Sequence, residues 1–332
     1  MMTNNLISVI IPAYNAESRI KFTLESITAQ DYDNIEIIVI NDASTDETGK
    51  ISAQLLTDSG RNFKIINHSH NMGVCASRNT GLKNSSGKYI AFIDADDLIA
   101  KNFISCLHEL ITQNNSDIAF CGLVDRFTDG KPDKNVHPVK HAFNMTSGGD
   151  FIINKAVPAV WCCLYDKNFL DKYNLLFLEG CTSGEDIDFI NRAICMAEKV
   201  SFTEKCLYIY MHHSQMGSIR DNDTIEKKIK RYEDNTNAQI NTAKYLAENA
   251  ISEKVKYLAE NILTPQTIIR QANIFIMKYD TTGYKTFIHD EEKRKILYRS
   301  QKIYILVKNF EVFCKGFLLL HMPNLYYLAR KK

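Results

Sequence analysis

The sequence predicts an α/β fold: a mixed, mostly parallel sheet flanked by helices, followed by a helical C-terminal region. Three observations predict it. Short β-branched runs alternate with helix-patterned stretches as far as residue 121. Polar clusters follow directly after several of those runs. From about Asp223 onward the pattern is almost purely helical. Alternating strands and helices argue for a parallel sheet covered on both faces, with ligands beyond the carboxyl ends of its strands.

Element by element, Ile7–Ile11 is a β-branched run stopped by Pro12, which reads as a buried strand. Ile20, Leu24 and Ile27 give Glu17–Gln30 a helical face. Ile35–Ile40 is the second strand, and Ser44 or Thr45 can cap a helix through about Leu56. Phe63–Ile66 is a third strand and Val74–Lys83 a helix. Tyr89–Ile93 is a fourth strand, Lys101–Thr112 a helix and Asp117–Cys121 a strand. Residues 125–150 are polar and rich in Gly, Pro and Asp, so a loop or crossover is expected. A helix follows from about Glu185 to Ala197, then long helices over Thr224–Glu248, Ser252–Tyr279 and Glu291–Phe313. The domain boundary is placed near 220.

The chain has 332 residues and a net charge of +1, unevenly spread. Residues 1–220 hold 20 Lys and Arg against 26 Asp and Glu; residues 221–332 hold 20 against 13. Within the last forty residues the sole acid is Glu311, a composition that suits a tail meeting something anionic. The nine cysteines include no CxxC, which predicts buried, reduced thiols in a cytoplasmic protein. Met1–Asn5 lacks a basic segment leading into an apolar core, so no signal peptide is expected. Lys308, Glu311 and Lys315 interrupt the best apolar stretch, so no membrane span is expected either. No dinucleotide-binding or Walker motif, nucleophile elbow or zinc spacing occurs.

The sharpest cluster is Asp94-Ala95-Asp96-Asp97. Carboxylates at i and i+2 where a buried strand leaves the core can hold a hard divalent cation and the diphosphate it bridges. Asp96 or Asp97 as a helix cap before Leu98 is the alternative. Glu185-Asp186 has two readings: acids favoured by a helix dipole, or a general base. Arg78 is either a diphosphate contact or a surface arginine on a helix. His68 and His70 read as a surface loop; His212-His213 has two readings, an isolated pair after a strand with no ligand, or a pair facing metal or phosphate.

Taken in order, Ser8–Asn15, Ile38–Asp46, Asn71–Asn79, Gly87–Asp97, Val160–Tyr165 and Gly184–Phe189 resemble the inverting family 2 glycosyltransferases of the GT-A fold. The resemblance covers about residues 6–220. It implies a catalytic domain over 1–220, with a nucleotide-sugar half to about 124 and an acceptor half over 125–220. It places Pro12, Ala13, Tyr14 and Asn15 in a nucleotide pocket with Glu17 nearby, and Asp42 on the base, uracil by preference. Arg78 would approach the diphosphate, Asp94 the ribose or metal with Ala95 between, and Asp96 would coordinate Mn²⁺ or Mg²⁺. Asp186 would be the catalytic base, Glu185 would support the acceptor, and Trp161 would wall the sugar or acceptor pocket, a core tryptophan being the alternative. The family's closing segment has a basic residue or His before a Ser, which offers His212 or His213, with His213 assigned to the metal set. Where the family has Trp-Asn-Lys-Leu-Tyr, this chain has Trp161-Cys-Cys-Leu-Tyr165.

The implied reaction moves a sugar from a nucleotide donor, a UDP-sugar by preference, to a hydroxyl of a glycan or lipid-linked acceptor in cell-surface polysaccharide synthesis. Transfer to a polyprenyl phosphate, or a non-catalytic sugar-nucleotide-binding assembly role, are the alternatives. No nucleic-acid partner is expected. Residues 221–332 are expected to pack on the catalytic domain or a second copy in a homo-oligomer. Alternatively they lie on an anionic membrane surface through Phe310, Phe313, Phe317 and Leu320, with Lys308, Lys315, Arg330, Lys331 and Lys332 around them.

Overall fold

The computed structural model describes residues 5–137, 157–213, 224–306 and 310–331. By internal contacts the chain divides into two compact units, Met1–Gly180 with Phe189–Asn222, and Cys181–Asp188 with Asp223–Lys332.

The first unit is built on β1 (Ile7–Ala13), α1 (Ile20–Thr28), β2 (Ile35–Asn41), α2 (Thr48–Ser59), β3 (Asn62–Asn67), α3 (Gly73–Asn84), β4 (Tyr89–Phe92), β5 (Leu98–Ile99) and α4 (Phe103–Asn114). It continues through β6 (Ile118–Phe127), β7 (Lys134–Val136), a 3₁₀ turn (Val160–Cys162), β8 (Cys163–Asp166), α5 (Lys167–Lys172), α6 (Glu185–Met196, whose first turn belongs to the second unit) and β9 (Val200–His212). The strand order is β3-β2-β1-β4-β8-β6-β9-β5, with β7 on β6. The first four are parallel, β8 and β5 run against their neighbours, and β6 and β9 run parallel to each other.

Central strands β1 and β2 are buried almost throughout, which is why they read as unbroken apolar runs rather than alternating ones. On one face Val9, Ile11, Ile37 and Val39 join Leu24, Phe103 and Leu107 in the main core. On the other, α3 lies so close to β1 that a Cβ on Gly81 would sit 2.2 Å from Ile10 Cγ2. The chain steps outward from β1 to β2 and β3, then returns to β4 on the far side of β1. That reversal opens a crevice beyond the carboxyl ends of β1 and β4.

At the other end of these strands Glu36 is 1% exposed. It accepts bonds from Ser8 Oγ (2.5 Å), Ser86 N (2.5 Å) and Gly87 N (3.1 Å), and pairs with Lys64 at 3.2 Å. Burial alone would raise its pKa; the Ser8, Ser86 and Lys64 contacts outweigh burial and hold it below the usual range. Gly87 is needed here, since a Cβ would lie 2.7 Å from Ser8 N and 2.8 Å from Leu6 O.

The polar stretch after residue 124 departs from the expected loop. β6 runs on to Phe127 and pairs with β7 and β9. Arg126 bridges to Asp133 at 2.7 Å, across a turn with Gly130 at φ 85°. Polar residues form strand there because pairing extends past the buried zone. Residues 138–150 of that expected loop lie outside the described residues.

The second unit contains α7 (Ile225–Asn249), α8 (Glu253–Leu258), a π turn (Ala259–Leu263), α9 (Thr264–Met277), α10 (Thr281–Ile288), α11 (Glu291–Leu306), α12 (Phe310–His321) and α13 (Pro323–Lys331). The stretch expected as one helix over Ser252–Tyr279 is helical throughout Glu253–Met277, with a π turn just ahead of Pro265, which lacks an N–H and crowds the preceding turn. Ile268, Ala272, Ile276, Tyr284, Leu297, Leu319, Leu320 and Tyr326 form the unit's core. Leu320, expected on a membrane-facing stripe, is 5% exposed and belongs to that core, whereas Phe317 is 41% exposed. The side chains of Lys308, Phe310, Phe313, Lys331 and Lys332 lie outside the described residues. Among the described residues no helix is long and apolar enough to cross a membrane. The nine cysteines are free thiols, and burial pushes the Cys162, Cys163 and Cys195 thiols up, leaving them unreactive.

Candidate active site

The crevice beyond β1 and β4 is built from two clasped loops and one acidic strand end. After β1, Asn15 adopts φ 47°. Its N–H donates to Ser44 Oγ (3.1 Å) and its Oδ1 accepts from Thr45 N (2.9 Å). Glu17 Oε2 accepts from Glu47 N (3.0 Å), and Ala16 N donates to Thr48 Oγ1 (2.7 Å). Asn15 and Glu17 thus lock the loop after β1 to the loop after β2. Ala13 is buried and its carbonyl accepts from Asp42 N at 2.9 Å; Pro12 is half-buried, and Tyr14 is 50% exposed.

Asp42 is buried and committed to the loop that precedes α3. Its Oδ1 meets His68 Nδ1 (2.7 Å) and Met72 N (2.8 Å), and its Oδ2 accepts from Gly73 N (2.8 Å). A carboxylate has about four lone-pair sites, so one on Oδ2 remains. His68, expected in a surface loop, is instead 7% exposed and bridges Asp42 to Thr80 Oγ1 at 3.0 Å. His70 is exposed.

Arg78 is not a surface arginine. It is 3% exposed on α3, stacks over the Phe177 ring at 5.1 Å, and donates from Nη2 to Asp94 Oδ1 at 2.7 Å. Asn79 fixes Phe177 in place through reciprocal bonds to its carbonyl (3.0 Å) and N–H (2.8 Å). The Asp94–Asp97 turn leads into strand β5, so neither Asp96 nor Asp97 caps a helix. Asp97 is buried, accepting from Tyr208 Oη (2.7 Å) and Met211 N (2.8 Å). Burial first, then the Asp94 charge, pushes its carboxyl up to about 8. Asp96 is likewise pushed up by burial and Asp94, and pulled back by Arg19, 3.5 Å away, and by His213. Ala95 is buried, with its carbonyl accepting from Thr23 Oγ1 at 3.0 Å.

The two histidines at the end of β9 part company. His212 bonds Asp125 at 2.8 Å and stacks on Phe127 at 4.5 Å. His213 lies near enough for its charge to act on Asp96, and its buried Nε2 has no hydrogen-bond partner among the described residues. Trp161 is half-buried, stacked on Tyr208 (4.5 Å) and Tyr210 (5.3 Å) against the core. Arg19 and Tyr208 were not singled out from the sequence, and Asp97 read only as part of its cluster or as a helix cap. A lone arginine before a helix and a tyrosine in an alternating strand carry no local signal.

Glu185 and Asp186 stand in the first turn of α6, in the segment that folds with the helical unit. Gly184 at φ 86° packs so tightly on α7 that a Cβ would meet Asn235 Cα at 2.9 Å. Thr182 bonds Asp234, and buried Asp188 accepts from Asn241 Nδ2 (3.0 Å) and Thr242 Oγ1 (2.8 Å).

Comparison with known proteins follows the same lines. Residues 8–173 match the model described as Glycosyl transferase family 2. The chain is 34% identical over 210 residues to the uncharacterized glycosyltransferase EpsJ of Bacillus subtilis, covering 62% of this chain and 60% of that protein. It is 30% identical over 250 residues to an uncharacterized glycosyltransferase of Haemophilus influenzae, covering 68% and 72%. With glycosyltransferase GlyA of Streptococcus pneumoniae, 32% identical, the match spans 31% of the relative's length. Among solved structures, S. aureus TarS 1-349 in complex with UDP-GlcNAc superposes with a TM-score of 0.64 at 21% identity, over 98% of this chain and 89% of that one. The Pyrobaculum calidifontis mannosyltransferase PcManGT in complex with GDP-Man and Mn²⁺ gives 0.53 at 13%, over 99% and 88%. The fold is therefore of the GT-A type. With its signature laid over the strand ends and the helix that carry Asp42, Asp94 and Arg78, this chain belongs to glycosyl transferase family 2.

Proposed function

We propose that this enzyme moves a sugar, with inversion, from a nucleoside-diphosphate donor to a hydroxyl of a glycan or lipid-linked acceptor in the synthesis of a cell-surface polysaccharide. One observation carries the reading: the Arg78–Asp94 pair at the carboxyl end of β4, with Asp96 beside it, in a family 2 chain. A buried guanidinium can meet a bound diphosphate directly, and the two carboxylates can do so through a cation. A UDP donor is favoured by the TarS complexes with UDP-GlcNAc and UDP. Pro12, Ala13, Tyr14 and the remaining Asp42 lone pair offer a place for the base, and Trp161 a wall for the sugar.

The donor set suits Mn²⁺ or Mg²⁺. Asp94 and Asp96 are hard oxygen ligands, and the unpartnered Nε2 of His213 lies nearby. Among the described residues no three His, Cys, Asp or Glu side chains converge as a metal cage, so phosphate oxygens and water would complete the shell. When bound, the cation would neutralise charge on the departing diphosphate. Arg78 stabilises the same charge from the α3 side. Asp186, in the first turn of α6, takes the proton from the acceptor hydroxyl as it attacks the anomeric carbon. Glu185 supports the acceptor. The setting is the inner face of the cell membrane, where lipid-linked acceptors are met.

A thermal-shift screen of nucleotide sugars with and without Mn²⁺ tests the donor assignment. A UDP-sugar is expected to raise the melting temperature more with the metal than without it. Asp186→Asn is expected to lower turnover by about 10²–10⁴-fold with donor binding intact; unchanged turnover would remove the base from Asp186.

A further inference from the structure

The helical unit has a concavity of about 630 Å³ lined by Arg294, Lys295, Tyr298, Arg299, Leu320 and His321, from α11 and α12. No acid lines it among the described residues. Arg294 is committed to the fold: its guanidinium donates to the carbonyls of Ile288 (3.4 Å) and Leu320 (3.2 Å), near the C-terminal ends of α10 and α12. Lys295 and Arg299 are different. Both are exposed, and neither has an ion pair or hydrogen bond among the described residues. They stand at i and i+4 on α11, where like charges repel; a bound anion between them removes that repulsion.

The surroundings are apolar as well as cationic. Tyr298 is 65% exposed between the two cations. Leu320 supplies a buried apolar wall, and Phe317, 41% exposed, packs at a tilt against the His321 ring, centroids 4.6 Å apart. A free phosphate needs the cations alone. A headgroup at a bilayer surface also uses exposed aromatic and aliphatic side chains at the depth where water gives way to acyl chains. We infer that this concavity binds the phosphate of an anionic lipid headgroup, with Lys295 and Arg299 as its principal contacts. This deepens the membrane-surface setting proposed above and rests on it; sugar transfer to a water-soluble acceptor does not depend on it.

The test uses the full-length chain sedimented with phosphatidylcholine vesicles, with and without phosphatidylglycerol. Binding is expected only with phosphatidylglycerol, and is expected to weaken as salt is raised. Each cation near such a surface is worth about fivefold in binding, so Lys295→Ala/Arg299→Ala should weaken it by roughly 25-fold. The melting temperature and donor binding should be unchanged. Lys21→Ala/Lys50→Ala, on the first unit, should bind vesicles as the parent does. Equal binding to both vesicle types, no binding, or binding indifferent to Lys295 and Arg299 overturns the inference. So does binding of inorganic phosphate that needs those two residues while vesicles stay unbound. Loss of transfer to a soluble acceptor with vesicle binding intact would sink the transferase reading alone.

Discussion

Replacing Arg78 by Met tests whether the Arg78–Asp94 pair holds the diphosphate end of the site. Met keeps an apolar stem against Phe177 and removes the charge, leaving Asp94 Oδ1 without its 2.7 Å donor. Breaking a fully buried pair costs about 3–5 kcal/mol. Arg78 is 4% exposed but Asp94 is 25% exposed, so solvent screens part of the stranded charge and the loss should be about 2–3 kcal/mol. Asp94→Asn should cost less, because Asn can still accept from a guanidinium. The double variant should recover part of the sum, with a coupling of about 1–2 kcal/mol in urea denaturation. UDP affinity, read by calorimetry, should fall about 10–100-fold in Arg78→Met, the value of a lost charge-assisted bond. Two results would refute the reasoning. One is single-variant losses that add within about 0.5 kcal/mol, which marks the residues as uncoupled. The other is unchanged UDP affinity, which removes Arg78 from the diphosphate.

Other outcomes follow from the same geometry. Glu36→Gln should destabilise by about 1–3 kcal/mol at pH 7. Because the folded pKa of Glu36 is lowered, its contribution is complete above the unfolded value of about 4.3 and is lost as pH falls through the lower folded value; the parent-minus-variant difference in urea midpoints should shrink in acid. Gly81→Ala should cost about 1–3 kcal/mol from its 2.2 Å encounter with Ile10 Cγ2, and less in an Ile10→Ala background, as thermal melts would show. EDTA should abolish turnover, and added Mn²⁺ should restore it. Asn241→Ala/Thr242→Val strips buried Asp188 of donors at 3.0 Å and 2.8 Å; kcat should fall several-fold while donor KM holds, and equal kcat would show that this anchoring does not position Asp186.

The sheet was legible because its strands obey local rules. β1, β2 and β4 are largely apolar runs buried on both faces, and each is followed by the polar cluster that a parallel sheet gathers at one edge. The partners of those clusters were not legible. Arg78 read as a surface residue because nothing in Ala76–Asn79 announces that Asp94, sixteen positions on, and Phe177, far beyond, will close around it. Asp97 looked like a helix cap; pairing between β5 and β9 makes it instead an acceptor for Tyr208, 111 positions away. Each failure is a long-range contact overriding a local propensity that was itself sound.

The placement of Asp186 carries that point into function. Its segment has a glycine at φ 86° against α7, a threonine bonded to Asp234, and a buried aspartate held by Asn241 and Thr242. Those partners come from a region that carries no motif of its own. The helical unit thus holds the residue proposed as base, whereas Asp94, Asp96 and Arg78 belong to the sheet unit. A division of labour follows. Substitutions in α7 should act on turnover and spare donor affinity, while substitutions around α3 and β4 should act on donor affinity first. Substrate choice can then diverge on one unit without disturbing the other.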